Sequence, residues 1–386
     1  MSSPALAPNV PRVAFCVTVD WYFCHHYLAL ARAVRAAGFA VTVITAVAEH
    51  GDQIRAAGLD LIPLEVSRKG MNPLRELQSI LQLTRILRRL RPALLHNIAQ
   101  KPVLYGTLAA RLAGVPTVVN AVAGMGYLFT SEAPRARLVR TLVGGAYRAL
   151  LAAPNVRVLV QNPDDQGQIL LLTGVAPTLI PGSGVDLTRF VPRPEPPGPP
   201  VVVLASRMLW DKGVGEFVDA ARLLQARGVS ARLVLVGKPD PGNPASVSEE
   251  QLREWNREGC IAWWGYRADM PTVMAATHIA CLPSYYREGL PKFLIEAAAA
   301  GLPLVTTDAT GCREAVEPGS NGLLVPPRDP VALAAALERL IRDPDLRQRF
   351  GARSRALAGA RFDATRIHGA VLAVYYDLLE QFEVQQ

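Results

Sequence analysis

Two glutamates in the second half of the chain, Glu288 and Glu296, lie in the segment YYREGLPKFLIEA (residues 285–297). Gly289 predicts a turn, and Pro291 predicts the first turn of a helix, where a missing N–H costs nothing. The free N–H groups of such a turn bind anions and hydroxyl groups. Glu288 can accept hydrogen bonds from a sugar, and Glu296 suits the two adjacent hydroxyls of a ribose. Each glutamate alone could also be an ordinary helix-start carboxylate that complements the dipole.

Two cations precede these glutamates in the same half of the chain. Arg207 follows a predicted strand, and Lys212 precedes a predicted helix. Both positions fall at the carboxyl end of the strand, where open α/β sheets bind ligands. Two fixed cations would stabilise a diphosphate leaving group, whose negative charge grows in the transition state. The alternative is a pair of solvated surface cations.

Apolar strands alternate with helical segments in both halves, which is typical of parallel sheets covered on both faces. The first half opens with a strand at residues 13–19, a turn at Asp20 and Trp21, and a helical segment at 27–37. The pattern restarts after a proline-rich segment, residues 191–200, which can be neither helix nor central strand. Further strands are predicted at 40–45, 93–96, 117–120, 157–160, 177–180, 201–205, 232–237, 261–264, 279–282 and 304–306, with a helix at 214–226. We expect an α/β protein with two Rossmann-like, doubly wound domains and a ligand-binding crevice between them.

Length and composition favour a soluble protein with two domains. The chain has 386 residues, and its five scattered cysteines have no CxxC spacing, which argues against a disulfide framework or zinc site. We recognise no signal peptide and no apolar run of the roughly 18 residues that a membrane span needs. Residues 1–190 carry a net charge of +9 and the remainder −1, so we expect the first half to face an anionic partner.

The glutamate segment, followed by AGLPLVTTDATGCREAV (residues 300–316), closely resembles the signature of family 4 glycosyltransferases, which have the GT-B fold. In that family, the first glutamate contacts the transferred hexose and the second contacts the nucleotide ribose, which implies these roles for Glu288 and Glu296. The segment SRMLWDKGVGEF (residues 206–217) resembles the phosphate-binding segment of the family. LIPGSGVDLTRF (residues 179–190) is similar to the segment that leads into the interdomain linker.

The resemblance implies a UDP-sugar as donor substrate, with no separate cofactor. The catalytic residues that it implies are Glu288, Arg207 and Lys212. The donor-binding residues that it implies are Glu296, Gly289, Leu290, Pro291, Lys292, Arg267 and Gly126. Arg267 belongs to a segment, residues 263–270, that is similar to the loop holding the nucleotide base. We expect no metal, because the DxD at residues 343–345 is better explained as a helix cap.

Domain boundaries follow from the pattern and from the resemblance. We expect an acceptor-binding domain at residues 1–190, a proline-rich linker at 191–200 and a nucleotide-sugar-binding domain at 201–365. By family inference alone, a final helix within residues 366–386 crosses back to the first domain.

Residues 72–91, NPLRELQSILQLTRILRRLR, predict a basic amphipathic helix that Asn72 caps and Pro73 starts. The leucines at helical spacing are Leu74, Leu77, Leu81 and Leu87. The cations are Arg75, Arg85, Arg88, Arg89 and Arg91, with Arg68 and Lys69 just before the helix. Such a helix can lie on an anionic membrane surface. It can equally be a packed helix with a solvated basic face.

Two segments of the first half, residues 20–34 and 101–130, narrow the resemblance to family members that extend polyprenyl-diphosphate-linked sugars in bacterial surface polysaccharide or glycan assembly. This implies a lipid-linked saccharide acceptor, with His26 and Lys101 on the acceptor side. It also implies that the loop Gly124-Met125-Gly126 approaches the donor phosphate. Many members have a histidine where this chain has Ala123.

We therefore expect a retaining enzyme that transfers a hexose or N-acetylhexosamine. It would work in the cytoplasm, peripherally associated with the inner face of the membrane. One alternative is a GT-B-fold nucleotide-sugar epimerase, which shares the architecture but uses no acceptor. Another is a basic nucleic-acid-binding protein. The arginines are not interleaved with stacking aromatics, so we expect no specific nucleic-acid partner.

Overall fold

The computed structural model describes residues 10–64, 72–122, 124 and 144–383, which fall into two compact units. The first unit comprises the chain up to Ser183 together with the part from Ala364 onward. The second unit runs from Gly184 to Asp363. Each unit contains a parallel sheet with helices, so the predicted α/β class with two Rossmann-like domains is confirmed.

In the described part of the first unit, the sheet has the strand order β3-β2-β1-β4-β5-β6-β7, and all pairs are parallel. The strands are β1 (Arg12–Val19), β2 (Ala40–Ala46), β3 (Asp60–Pro63), β4 (Leu94–Ile98), β5 (Thr117–Val122), β6 (Val156–Val160) and β7 (Thr178–Leu179). Every residue of β4 and β5 is buried, as expected for strands covered on both faces. The order reverses beside β1, which is the switch point of a doubly wound sheet.

Helices connect these strands. They are α1 (Asp20–His26), α2 (Leu28–Ala36), α3 (Gly51–Ala56), α4 (Pro73–Leu90), α5 (Gln100–Ala113) and α6 (Pro163–Thr173), and residues 144–151 are also helical. The predicted cap of α4 is confirmed, because the Asn72 side chain accepts a hydrogen bond from the Leu74 N–H at 3.1 Å.

The predicted turn at Asp20 and Trp21 is wrong, because α1 begins at Asp20 and a second helix follows after Tyr27. The buried Asp20 carboxylate accepts hydrogen bonds from the backbone N–H groups of Trp21, Ala48 and His50 at 2.7, 2.7 and 2.9 Å. Two of these donors, Ala48 and His50, follow β2. Contacts between residues that are distant in sequence therefore determine the path of the chain after β1.

The second unit has a sheet of order β10-β9-β8-β11-β12-β13, again parallel throughout. Its strands are β8 (Val201–Ala205), β9 (Arg232–Val236), β10 (Ala262–Trp263), β11 (Ile279–Leu282), β12 (Leu304–Thr307) and β13 (Gly322–Val325). Its helices are α7 (Val214–Ala226), α8 (Glu249–Glu258), α9 (Met270–Ala275), α10 (Lys292–Ala299), α11 (Pro330–Arg342) and α12 (Pro344–Leu357). The doubly wound order places the ends of β8 and β11 side by side at its switch point.

The proline-rich segment, residues 191–200, forms neither helix nor strand, as its composition predicts. It packs with the second unit, where Arg347 donates two hydrogen bonds of 2.8 Å to the Glu195 carboxylate. His278 Nε2 lies 3.0 Å from the carbonyl oxygen of Pro196. Polar contacts therefore hold this segment at Glu195 and Pro196.

The last helix, α13 (Ala364–Glu383), belongs to the first unit. Tyr375 and Leu378 of this helix are fully buried in the same hydrophobic core as Phe15 of β1. Tyr375 also contacts His96 of β4, with 2.5 Å between its hydroxyl oxygen and Nδ1 of the imidazole. Helix α13, near the end of the chain, therefore forms part of the hydrophobic core of the first unit.

Candidate active site

The segment with the predicted catalytic cations and the segment with the two glutamates meet at the carboxyl edge of the second sheet. The chain leaves β8 at Ser206 and Arg207 and forms a short 3-10 helix, Trp210–Lys212. The carbonyl oxygen of Asp211 accepts hydrogen bonds from the N–H groups of Tyr285 and Tyr286, which follow β11, at 3.0 and 3.2 Å. These backbone contacts join the cation segment to the glutamate segment.

Lys212 and Glu288 form an ion pair at this junction, and each side chain is only about an eighth exposed. Ser284 Oγ lies 3.0 Å from the same Glu288 oxygen and 3.0 Å from the carbonyl oxygen of Asp211. Burial strengthens the attraction between the ammonium and the carboxylate, because water screens them less. The sequence predicted a role for each residue but not that they pair.

Arg207 has a carboxylate partner that the sequence did not reveal. Its Nη1 donates to Asp240 Oδ2 at 2.6 Å, and Asn243 Nδ2 lies 3.4 Å from the same oxygen. Asp240 follows β9, in a loop that pairs with the segment after β8 through the hydrogen bonds Met208 N–H to Lys238 O and Val247 N–H to Met208 O. No motif in this loop had identified Asp240.

Two glycines allow these segments to approach each other closely. Gly213 has φ 75°, and a Cβ there would lie 2.1 Å from the carbonyl oxygen of Pro283. Gly311 has φ 80°, and a Cβ there would lie 2.3 Å from the carbonyl oxygen of Gly289. Any larger residue at either position would push apart the loops that carry Lys212 and Glu288.

Glu296 lies in α10, facing inward. The residue is 9% exposed, and Lys292 Nζ is 3.7 Å from its Oε1. Burial raises the pKa of Glu296, and the nearby cations Lys292 and Arg189 oppose that rise. Burial likewise lowers the pKa of Lys292, whereas the negative charge of Glu296 raises it. A buried carboxylate with one nearby ammonium can still accept hydrogen bonds from neutral donors such as hydroxyl groups.

Helix α10 starts next to Pro291, as expected. Pro291 is the N-cap residue, and the helix begins at Lys292. Leu290 is buried and Gly289 lies in the preceding loop, so the N–H groups of the first turn of α10 follow this loop directly.

The predicted base-binding segment follows β10 and lies beside the end of β9. Trp263 Nε1 donates to the carbonyl oxygen of Gly237 at 2.9 Å, and the Gly237 N–H donates to Gly265 at 2.8 Å. Arg267 is exposed two residues further on. Tyr266 is 53% exposed, and Lys238 Nζ lies 5.3 Å from the centre of its ring. The aromatic ring is therefore available at the surface and does not belong to the core.

The two residues predicted for the acceptor side, His26 and Lys101, lie at different places in the first unit. His26 ends α1, with its ring centroid 4.5 Å from that of Tyr22. Lys101 is in the first turn of α5, and its Nζ lies 2.7 Å from Glu76 Oε1 of α4. Burial and the Glu76 charge raise the pKa of Tyr105, one turn further along α5, to about 12.

The predicted glycine loop is described only at Gly124, whose carbonyl oxygen lies 3.4 Å from Gln100 Nε2. Ala123, Met125 and Gly126 lie outside the described residues, as do Arg68 and Lys69.

The DxD at residues 343–345 is a helix cap, as predicted. Asp343 accepts a hydrogen bond from the Leu346 N–H at 2.8 Å, and Pro344 is the first residue of α12. Within the described part of the chain, no group of three or more His, Cys, Asp or Glu side chains is placed to hold a metal ion.

Two parallel, doubly wound units, with cations and carboxylates gathered at the carboxyl edge of the second, are characteristic of GT-B glycosyltransferases. Comparison with known protein families leads to the same class. The profile "Glycosyl transferase 4-like" matches residues 12–155, and "Glycosyl transferases group 1" matches residues 199–343. The second match contains Arg207, Lys212, Glu288 and Glu296. The chain belongs to the group 1, family 4 glycosyltransferases, and it is a hexosyltransferase.

Similar proteins include two sugar transferases and one solved structure. The N,N'-diacetylbacillosaminyl-diphospho-undecaprenol α-1,3-N-acetylgalactosaminyltransferase of Campylobacter jejuni is 27% identical over 380 residues, covering 94% of this chain and 98% of that protein. The UDP-Gal:α-D-GlcNAc-diphosphoundecaprenol α-1,3-galactosyltransferase of Escherichia coli is 25% identical over 291 residues, 71% of this chain and 73% of that protein. The crystal structure of Anabaena HepE with UDP and glucose has the same fold, with a TM-score of 0.78, 20% identity and coverage of 95% and 99%.

Proposed function

We propose that this enzyme transfers a hexose or N-acetylhexosamine from a UDP-sugar to a polyprenyl-diphosphate-linked saccharide during surface polysaccharide or glycan assembly. The observation that carries the proposal is the Lys212–Glu288 pair beside the start of α10, with Arg207 at the same sheet edge. The two relatives whose names specify diphospho-undecaprenol acceptors support the acceptor class.

In this proposal the donor binds to the second unit. Glu296 accepts hydrogen bonds from the ribose hydroxyls, and the backbone at Gly289, Leu290 and Pro291 approaches the sugar and diphosphate. Lys292 Nζ lies 3.7 Å from Glu296 Oε1, and its positive charge opposes the rise in the pKa of Glu296 that burial causes. We propose that Arg267, which is exposed after β10, contacts the base.

Arg207 and Lys212 act on the diphosphate, and each of them also contacts a carboxylate, Asp240 and Glu288 respectively. During transfer, the bond between the anomeric carbon and the β-phosphate oxygen breaks, and its electron pair leaves with UDP. The two cations stabilise that charge. Glu288 binds the hexose next to Lys212. The acceptor oxygen forms the new bond to the anomeric carbon and passes its proton to the departing phosphate. Retention of configuration is what membership of the family implies.

In the first unit, His26 and Lys101 are proposed to bind the acceptor. Lys101 suits the acceptor diphosphate because it is a fixed cation at the start of α5. Glu76 orients its ammonium until the substrate arrives.

A transfer assay tests this function. The purified enzyme is incubated with a short-chain prenyl-diphosphate N-acetylhexosamine and, separately, with UDP-glucose, UDP-galactose and their N-acetyl forms. One donor is expected to lengthen the lipid by a single sugar, detected by mass spectrometry. An epimerase would instead interconvert the UDP-sugars without an acceptor. That outcome, or no lengthened lipid with any donor, would contradict the proposal.

We further propose that α4 binds an anionic membrane, which contains the lipid-linked acceptor of the enzyme. Leu74, Leu77 and Leu81 are 71%, 53% and 42% exposed, whereas Leu83 and Leu87 are buried on the opposite side of the helix. The three exposed leucines form one face, which we call the leucine face. The exposed arginines that continue beyond it are Arg85, Arg88, Arg89 and Arg91. None of the described helices is long and apolar enough to cross a membrane.

Replacing the leucine face with glutamine (Leu74, Leu77 and Leu81→Gln) is expected to weaken binding to phosphatidylglycerol vesicles by roughly tenfold or more, because apolar area no longer enters the lipid. Co-sedimentation measures this. The matched control places the same change on exposed leucines of α6, Leu170→Gln and Leu171→Gln, which are 46% and 83% exposed. Equal sedimentation of both variants, or no binding by the parent, would contradict membrane binding through α4.

A further inference from the structure

A pocket at the amino edge of the first sheet has no role in the mechanism above. Its volume is about 790 Å³, which is within the range of small-molecule sites. It lies among the residues that begin or precede β1, β2, β4 and β5, the last turn of α4 and the end of α5. His26 and Lys101 follow the carboxyl ends of β1 and β4, so the pocket is at the opposite edge of the sheet from the proposed acceptor residues.

Three arginines line this pocket, which we call the arginine pocket: Arg12, Arg88 and Arg91. Arg12 begins β1, Arg88 is in the last turn of α4, and Arg91 directly follows that helix. The other described lining residues are apolar or glycine, and none of them is Asp, Glu, Lys or His. Among the residues that the structure describes, no carboxylate forms an ion pair with any of the three arginines. The pocket is therefore lined by positive charge alone.

The helix ends account for only part of this charge. Arginines near the last turn of a helix complement the negative end of its dipole, and Arg88 Nη2 donates to the carbonyl oxygen of Leu112 at 3.0 Å. That bond uses one of the five N–H donors of a guanidinium group. Arg12 lies on a strand, and its Nε is buried without a partner among the described residues, so a ligand can reach only its two terminal nitrogens.

Arg91 has a backbone conformation that favours glycine. It follows α4 with φ 45° and ψ 56°, in the left-handed region. Its side chain forms neither an ion pair nor a hydrogen bond with the described part of the chain. An arginine at this position therefore strains the backbone without a compensating contact inside the fold, and a bound anion would supply that contact.

We propose that the arginine pocket binds a phosphate group. Three like charges around one pocket repel one another, and a bound dianion removes that repulsion. The planar guanidinium group also matches two oxygens of a phosphate at once. Apolar lining residues such as Leu87, Leu90 and Val115 suit a phosphate that carries an organic part. The inference goes beyond the proposed transfer reaction and does not rest on it.

The phosphate has two possible sources. One is a phosphorylated small molecule in solution. The other is the headgroup of an anionic lipid, because Arg88 follows Leu77 and Leu81 at helical spacing and lies on the same side of α4 as the leucine face. A membrane in contact with the leucine face would bring its phosphates towards Arg88.

Titrations of the full chain with two phosphate probes test the site and distinguish these sources. The soluble probe is glycerol 3-phosphate, followed by calorimetry. The lipid probe is phosphatidylcholine vesicles with or without phosphatidic acid, followed by co-sedimentation. Saturating UDP is present throughout, so that the probes do not report on the proposed diphosphate site of the second unit.

Arg91→Gly and Arg88→Gln are each expected to weaken phosphate binding at least tenfold, because each removes charge-assisted hydrogen bonds. Glycine fits the backbone at position 91, so Arg91→Gly should unfold at a temperature close to that of the parent. Loss of binding in this variant is then not a loss of folding. The matched control is Arg89→Gln, which changes an exposed arginine of the same helix that does not line the pocket.

Loss of glycerol 3-phosphate binding in the two pocket variants, with binding retained in Arg89→Gln, would support a soluble phosphorylated ligand. The same pattern with phosphatidic acid vesicles alone would support a lipid headgroup. Equal losses in all three variants would show that net charge attracts the anion without a site, and would overturn the inference. Absence of binding to both probes would also overturn it. Absence of thermal stabilisation by UDP would count against the proposed function and not against the arginine pocket.

Discussion

Lys212→Ala is expected to lower kcat by about 10²–10³-fold, equivalent to about 2.7–4 kcal/mol in the barrier, which is the typical cost of removing one donor to a developing anion. Lys212 is positioned for this by the 3-10 helix after β8 and by Glu288, whose carboxylate it contacts. The donor KM should change less than kcat, because the charge on the leaving diphosphate is greatest in the transition state. Steady-state kinetics with the active UDP-sugar measures both.

A purely structural role for Lys212 is separable from this catalytic one. Removing the lysine leaves Glu288 largely buried without its cation, which by itself destabilises the second unit. The double variant Lys212→Ala/Glu288→Gln removes that unpaired charge and should recover thermal stability but not kcat. Arg222→Ala, which breaks an exposed ion pair on α7, is the control for loss of a cation. A kcat within a few-fold of the parent in Lys212→Ala would show that the lysine does not act on the leaving group.

Much of the fold could be predicted from apolar runs. The bounds of β8, β11 and α7 agree with the predictions, because buried parallel strands and an amphipathic helix have strong patterns. Two strands were missed. β3 contains the exposed residues Asp60 and Pro63, and two residues of β13 are half-buried, so neither has the continuous apolar run of a central strand. Short edge strands take their register from a neighbour, which a single-sequence pattern does not contain.

The site was predicted in its residue types but not in its pairings. Glu288 and Lys212 were found from local motifs, yet they are 76 residues apart, and only the sheet order places β8 beside β11. Asp240 had no motif, and its contact with Arg207 depends on the backbone pairing of two loops. The contact between His96 and Tyr375 was missed for the same reason, because α13 supplies Tyr375 from 279 residues away.

The basic helix, α4, shows a different limit of prediction from sequence. Its cap and spacing were evident in the sequence, but spacing alone does not say which side faces the core. In the structure Leu87 is buried, whereas Leu74, Leu77 and Leu81 are exposed. The face is decided by the packing of α4 against α5, because Leu83 and Leu87 share a hydrophobic core with Val103, Ala109 and Ala110.

The second prediction with a large expected effect is that nucleotide binding depends on Glu296, the buried carboxylate of α10. Glu296→Gln removes the charge that is proposed to accept hydrogen bonds from the ribose, and such charge-assisted bonds contribute about 1.5–3 kcal/mol each. UDP should therefore bind the variant at least tenfold more weakly. The matched control is Glu250→Gln, the same change at an exposed position of α8.

A thermal-shift screen of UDP, GDP, ADP and their sugars, with the parent, Glu296→Gln and Glu250→Gln, tests the central claim that the second unit holds the nucleotide donor. At a hundredfold excess over its Kd, a ligand stabilises the folded state by about 2.7 kcal/mol. We predict selective stabilisation by uridine nucleotides in the parent and in Glu250→Gln, and a clear loss of it in Glu296→Gln. Stabilisation by none of the nucleotides in the parent, or an unchanged shift in Glu296→Gln, would contradict the donor site described for α10.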